Sequence, residues 1–132
     1  MDAGGAKAGW TKQMRLRRPE DFRRVRSEGQ SWAHPLFILW SAPNALDVTR
    51  IGLTASRRVG NAVARNRARR LLREAVRRSY AHIAAGYDIV LVARSGVLAE
   101  RSQQVEAALR TVLERANLVS SAHSADEPGV TL

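Results

Sequence analysis

Residues 56–78, SRRVGNAVARNRARRLLREAVRR, constrain the fold more than any other part of the chain. Arginine occupies positions 57, 58, 65, 67, 69, 70, 73, 77 and 78, and Glu74 is the only acid among them. No proline follows Asn61 in this stretch, and Gly60 stands where a helix would begin. At about 100° per residue, Ala64, Ala68, Leu71, Leu72, Ala75, Val76, Ser79 and Ile83 fall on one arc. Asn66, Arg67, Arg69, Arg70, Arg73, Arg77 and Arg78 fall on the opposite arc. The expected helix, running to about Ala84 with Gly86 as its stop, has an apolar back for a core and a basic front for a partner. Arg65 lies at the edge of the apolar arc, which implies an irregular first turn or a side chain that snorkels round the rim.

Like charges three or four residues apart weaken an isolated helix by roughly 0.2–0.5 kcal/mol per pair, so a polyanion is the natural complement of this face. Arginine suits phosphate because its planar fork donates two parallel hydrogen bonds. A merely solvated helix would mix both signs. A calmodulin-target or membrane-surface helix would also be basic and amphipathic. Its apolar arc, however, would carry tryptophan or phenylalanine, whereas this one is rich in alanine and suits close packing inside a domain.

The rest of the chain agrees with a nucleic-acid partner. Its 132 residues allow one domain, and its net charge of +10 points to nucleic acid before an anionic membrane. Cysteine is absent, which removes disulfides, thiolate nucleophiles and zinc ribbons. No apolar run has signal-peptide or membrane-spanning character, and a cytoplasmic protein without membrane contact is expected.

Residues 1–15 read as a flexible basic arm and residues 119–132 as a disordered tail, flanking a single domain over 16–118. A helix is expected over 19–28, opened by Pro19 with Glu20 and Asp21 in its first turn and stopped by Gly29. Residues 31–41 read as a strand that Pro35 interrupts early. Alternation puts Phe37 and Leu39 on one face and Leu36, Ile38 and Trp40 on the other. Residues 48–56 read as the returning strand of a hairpin with it. Residues 87–94 read as a buried strand and 100–117 as a second long helix, with a polar cluster at its start. The order helix, strand, strand, helix, strand, helix defines an α+β fold, a two-layer α/β sandwich with a small sheet and packed helices.

Candidate catalytic groups are sparse. A metal-dependent nuclease needs converging carboxylates. Between Gln30 and Ala99 the acids are Asp47, Glu74 and Asp88, spread over a turn, the arginine helix and a strand entrance. His34, His82 and His123 share no ligand spacing and read as surface residues. No catalytic and no metal-binding residue is assigned in the protein.

Arg65-Asn66-Arg67 followed by Arg69, Arg70 and Arg73, and preceded by the run from Arg57 to Val63, resembles without gaps the signature of the bacterial ribonuclease P protein subunit. The resemblance extends from Leu16 to Leu118 and includes Glu20-Asp21-Phe22 and Val25. It implies four strands, the early one being split, and a left-handed βαβ crossover. It also implies an endoribonuclease in which the RNA subunit is the catalyst and binds most of the magnesium, without an organic cofactor. The protein would bind that RNA one to one and assist removal of the 5′ leader from precursor tRNA. By resemblance, Arg57, Arg58, Asn61, Arg65, Asn66, Arg67, Arg69, Arg70 and Arg73 face the catalytic RNA. Phe22, Arg26, Phe37, Ile38 and Trp40 line a cleft for the single-stranded leader. Arg26 stands where many members have a second aromatic. A structural RNA-binding protein of ribosomal type and a protein-only nuclease are the alternatives from other classes.

Overall fold

The computed structural model describes residues 9–120. Helix α1 spans Pro19–Glu28. Strands β1 (Gln30–Ala33), β2 (Phe37–Pro43) and β3 (Arg50–Thr54) follow. Then come α2 (Ala62–Ser79), β4 (Tyr87–Ala93) and α3 (Ser102–Arg115). The four strands form one sheet in the order β1-β2-β4-β3.

The expected early strand is two strands. The turn at Pro35 closes a hairpin in which the His34 N–H donates to Phe37 O at 2.9 Å and β1 pairs antiparallel with β2. The expected hairpin between this region and residues 48–56 does not form. β4 lies between them, antiparallel to β2 and parallel to β3. The reason is burial: β4 is apolar on both faces, with Ile89, Val90 and Leu91 almost inaccessible, and such a run takes the centre of a sheet. A parallel β3–β4 pair needs a long crossover, which α2 supplies.

Alternation along β2, β3 and β4 sorts the core into two clusters. Phe37, Leu39, Ile51, Ile89 and Leu91 pack with the apolar sides of α2 and α3. On the opposite face Leu16, Val25 and Val90 pack together with Phe22, Trp40 and Val92 under α1. The sheet thus has helices α2 and α3 on one face and the single helix α1 over part of the other. Gly52 is what lets α1 approach β3: a Cβ there would run into the Phe22 ring and the Leu16 Cβ.

The N-terminal arm is partly fixed by its apolar residues. Trp10 is buried in the main core, residues 12–14 form a 3-10 turn, and Arg15 bridges to Ile51. The Leu16 N–H donates to Ile51 O at 3.1 Å, covering the otherwise open edge of β3. Burial of Trp10, Met14 and Leu16 provides the anchor; residues 1–8 lie outside the described residues. At the other end Val119 bridges to Ile83 and the Ser120 N–H donates to His82 O at 2.8 Å. Residues 121–132 of the expected tail, with His123, also lie outside the described residues.

The arginine helix ends at Ser79 rather than near Ala84. Residues 80–82 tighten into a 3-10 turn, and Ala84 N–H donates to Leu118 O at 2.7 Å. The buried Tyr80 hydroxyl donates to Thr49 O at 2.6 Å, which pins this exit to the start of β3. α3 begins later than expected because residues 95–99 form their own 3-10 turn. The polar cluster at its start is used: the Arg101 N–H donates to Gln104 Oε1 at 3.2 Å.

Candidate nucleic-acid interface

The first surface is α2 and the turn before it. Val59 is buried in the core and anchors the turn, which leaves Arg57 and Arg58 exposed. The Val59 N–H donates to Ser56 O at 3.0 Å and the Gly60 N–H to Arg57 O at 3.1 Å. Gly60 has φ of +144°, a conformation that favours glycine. Asn61 is the N-cap, its Oδ1 accepting from the Ala64 N–H at 2.9 Å. Arg65 snorkels as its wheel position requires: half-buried, it donates through Nη1 to Gly60 O at 3.0 Å. Asn66, Arg67, Arg70 and Arg73 are exposed, and Arg69 is half-buried with its Nη2 donating to Asn66 Oδ1.

Charge pairing divides this helix in two. Glu74 accepts from Arg77 Nε at 3.1 Å and from Arg78 Nε at 2.7 Å. Hydrogen bonds from Arg77 and then Arg78 draw the Glu74 carboxyl down to about 2. The one acid of α2 is therefore spent on its last turn. Arg67, Arg70 and Arg73 form no ion pair among the described residues. Among the described residues the N-terminal half of the basic face has no intramolecular counterion.

The second surface is a cleft of about 590 Å³ beside α1. Arg26, Ile38, Thr54, Ser56, Arg58 and Val92 line it, together with Arg94 and Ser95 from the end of β4. Trp40 and Phe22 lie half-buried in the small cluster under α1, on the same sheet face. The Arg26 guanidinium sits over the Trp40 ring, 5.7 Å from its centroid. Arg26 thus caps the tryptophan face by a cation–π contact.

Phe37 is a correction. It is fully buried on the α2–α3 face, stacked on His34 with centroids 5.3 Å apart, and cannot meet a ligand in this cleft. Neighbouring strand residues point to opposite faces, so Phe37 and Ile38 cannot share one cleft. Sequence reasoning missed Thr54, Ser56, Val92 and Arg94 as lining residues. It also kept Arg58 for the helix surface alone, whereas Arg58 lines the cleft as well. The alternation of β3 and β4 held the signal, but the order of the strands was needed to use it.

The acids do not form a metal centre. Asp88 is inaccessible and accepts from Asn44, Arg50 and Arg24. Burial pushes its carboxyl up, and the hydrogen bonds from Arg50, Asn44 and Arg24 outweigh that and hold it below the usual range. Among the described residues no group of three or more His, Cys, Asp or Glu side chains is placed to hold a metal ion. Among the described residues no helix is long and apolar enough to cross a membrane.

A basic helix face and an arginine-rimmed cleft on a small α+β scaffold have the character of a nucleic-acid-binding protein. Comparison with known proteins makes the assignment specific. The family model described as Ribonuclease P matches residues 10–117. A ribonuclease P protein component of Roseiflexus castenholzii is 45% identical over 111 residues, covering 83% of this chain and 91% of that protein. The Staphylococcus aureus RNase P protein superposes with a TM-score of 0.71 at 31% identity, over 80% of this chain and 96% of that one. The protein from Thermotoga maritima gives 0.69, also at 31% identity, over 76% and 96%. The chain belongs to the ribonuclease P protein family, and its function is that of a subunit of this RNA-processing enzyme. Family membership removes the ribosomal-type alternative.

Proposed function

We propose that the protein is the RNA-binding, non-catalytic partner in an RNA-catalysed endoribonuclease that removes the 5′ leader of precursor tRNA in the cytoplasm. The observation that carries this reading is the division of α2. Glu74 is engaged by Arg77 and Arg78 in the last turn, and Arg67, Arg70 and Arg73 are left exposed without a counterion among the described residues. An RNA backbone supplies the missing charge, and releasing its counterions makes binding favourable and salt-sensitive.

The catalytic RNA lies along α2 and the Arg57–Arg58 turn, one protein to one RNA. The leader runs through the cleft beside α1. There Ile38 and Val92 offer apolar contact, Arg26, backed by the Trp40 ring beside the cleft, a planar stacking surface, and Arg58 and Arg94 charge for the backbone. Magnesium chemistry belongs to the RNA.

The test for the cleft compares holoenzyme affinity for precursor tRNA with an unpaired leader and for the same tRNA without one. Trp40→Leu should weaken only the leader-bearing substrate, by about 1–3 kcal/mol as for loss of one base stack. Equal weakening of both substrates would remove the leader from this cleft.

A further inference from the structure

The segment before α1 and the front of α2 meet in a pocket of about 180 Å³, distinct from the leader cleft. Arg15 and Arg17 line it from the N-terminal segment, and Arg69 and Arg73, one turn apart, line it from α2. No carboxylate is among its lining residues. Arg15 is held ready: its guanidinium lies 4.8 Å from the centroid of the Trp10 ring. Trp10 is in turn fixed by its indole N–H donating to Met14 O at 2.9 Å, and the backbone after Arg15 by β3. Yet the Arg15 Nε is buried with no hydrogen-bond partner.

A buried charged N–H without an acceptor is costly, and so is the gathering of four guanidinium groups without an anion. A group with several acceptor oxygens and one negative charge, small enough for the pocket, offsets the charge gathered there. A backbone phosphate has this chemistry. We propose that the pocket seats a phosphodiester of the catalytic RNA, which makes residues 10–17 part of the RNA interface as well as a cover for the edge of β3. The inference rests on α2 being the face toward the catalytic RNA, because Arg69 and Arg73 serve both. It also links docking of the N-terminal segment to RNA binding.

The test uses the full chain and the catalytic RNA, with affinity measured across a series of salt concentrations. The variants are Arg15→Gln, Arg17→Ala, their double, Arg67→Ala as a marker of the α2 face, and Arg23→Ala on exposed α1 as a charge control. The Trp10 indole resonance, compared in each variant, reports whether the segment stays docked, and Arg17→Ala alone decides if Arg15→Gln undocks it. Arg15→Gln and Arg17→Ala should each weaken binding roughly tenfold, the scale of one charge-assisted hydrogen bond. The double should flatten the salt slope by about 0.7–0.9, one phosphate's worth, and no further. Arg23→Ala should leave the slope unchanged.

The proposal is overturned if the pocket variants behave like Arg23→Ala while Arg67→Ala weakens binding. It is equally overturned if they weaken only precursor tRNA binding by the holoenzyme. If Arg67→Ala is also silent, the reading of α2 fails with it.

Discussion

At Asp88 a single inaccessible carboxylate holds Arg24 from α1, Arg50 from β3 and Asn44 from the loop after β2. This cluster ties α1 to the sheet beside the cleft. Its carboxyl is held below the ordinary value near 3.9, so its stabilisation is complete above that pH and is lost as pH falls through the lower folded value. Asp88→Asn should destabilise the protein by about 3–5 kcal/mol, because it leaves partly buried arginines without their charge partner. It should also flatten the loss of stability below about pH 4. Urea unfolding of both proteins from pH 2 to 7 checks both effects. Ser79 is the opposite case, a fully buried hydroxyl on α2 with no partner. Ser79→Ala should be neutral or stabilising by up to about 1 kcal/mol, measured by the same unfolding experiment. Arg65 was legible in the sequence, because its place on the helical wheel forces it round the rim. Asp88 was not, because its partners lie 38 to 64 positions away and only the strand order brings them together.

Among the elements, α2 was the most readable, since one periodicity separates its core side from its basic side. Its end was not, because Tyr80 and Ala84 leave the helix for the distant partners Thr49 and Leu118. The strands were readable as strands but not as neighbours. The sequence order of β2 and β3 suggested a hairpin, and the burial demand of β4 placed it between them. The placing of Phe37 with Ile38 in one cleft came from the family resemblance and ran against the alternation of β2, which sets the two on opposite faces. The contact of α1 with β3 depends on Gly52. Gly52→Ala should force the Phe22 ring away and shift α1, costing about 1–3 kcal/mol by overpacking. Thermal unfolding gives the cost. A matched loss of affinity for leader-bearing precursor tRNA, with catalytic-RNA affinity retained, would show that α1 positions the cleft.

For the whole molecule, charge is distributed by use. Asp88 holds Arg24 and Arg50, Glu74 holds Arg77 and Arg78, and Glu106 pairs with Arg110, whereas the arginines on the front of α2, in the N-terminal pocket and around the cleft form no ion pair among the described residues. Fold class followed from the order of the elements, and the principal basic face from one helix. The cleft rim and the N-terminal contribution required three-dimensional proximity between residues far apart in the chain. The most direct measurement is reconstitution: precursor tRNA processing at low magnesium by a bacterial ribonuclease P RNA, with the protein, without it, and with Arg67→Ala/Arg70→Ala. The expected result is stimulation by the wild type, little by the double variant, and no cleavage by protein alone. Equal stimulation by the double variant, or cleavage by the protein without RNA, would contradict the assignment of α2 as the face that serves an RNA catalyst.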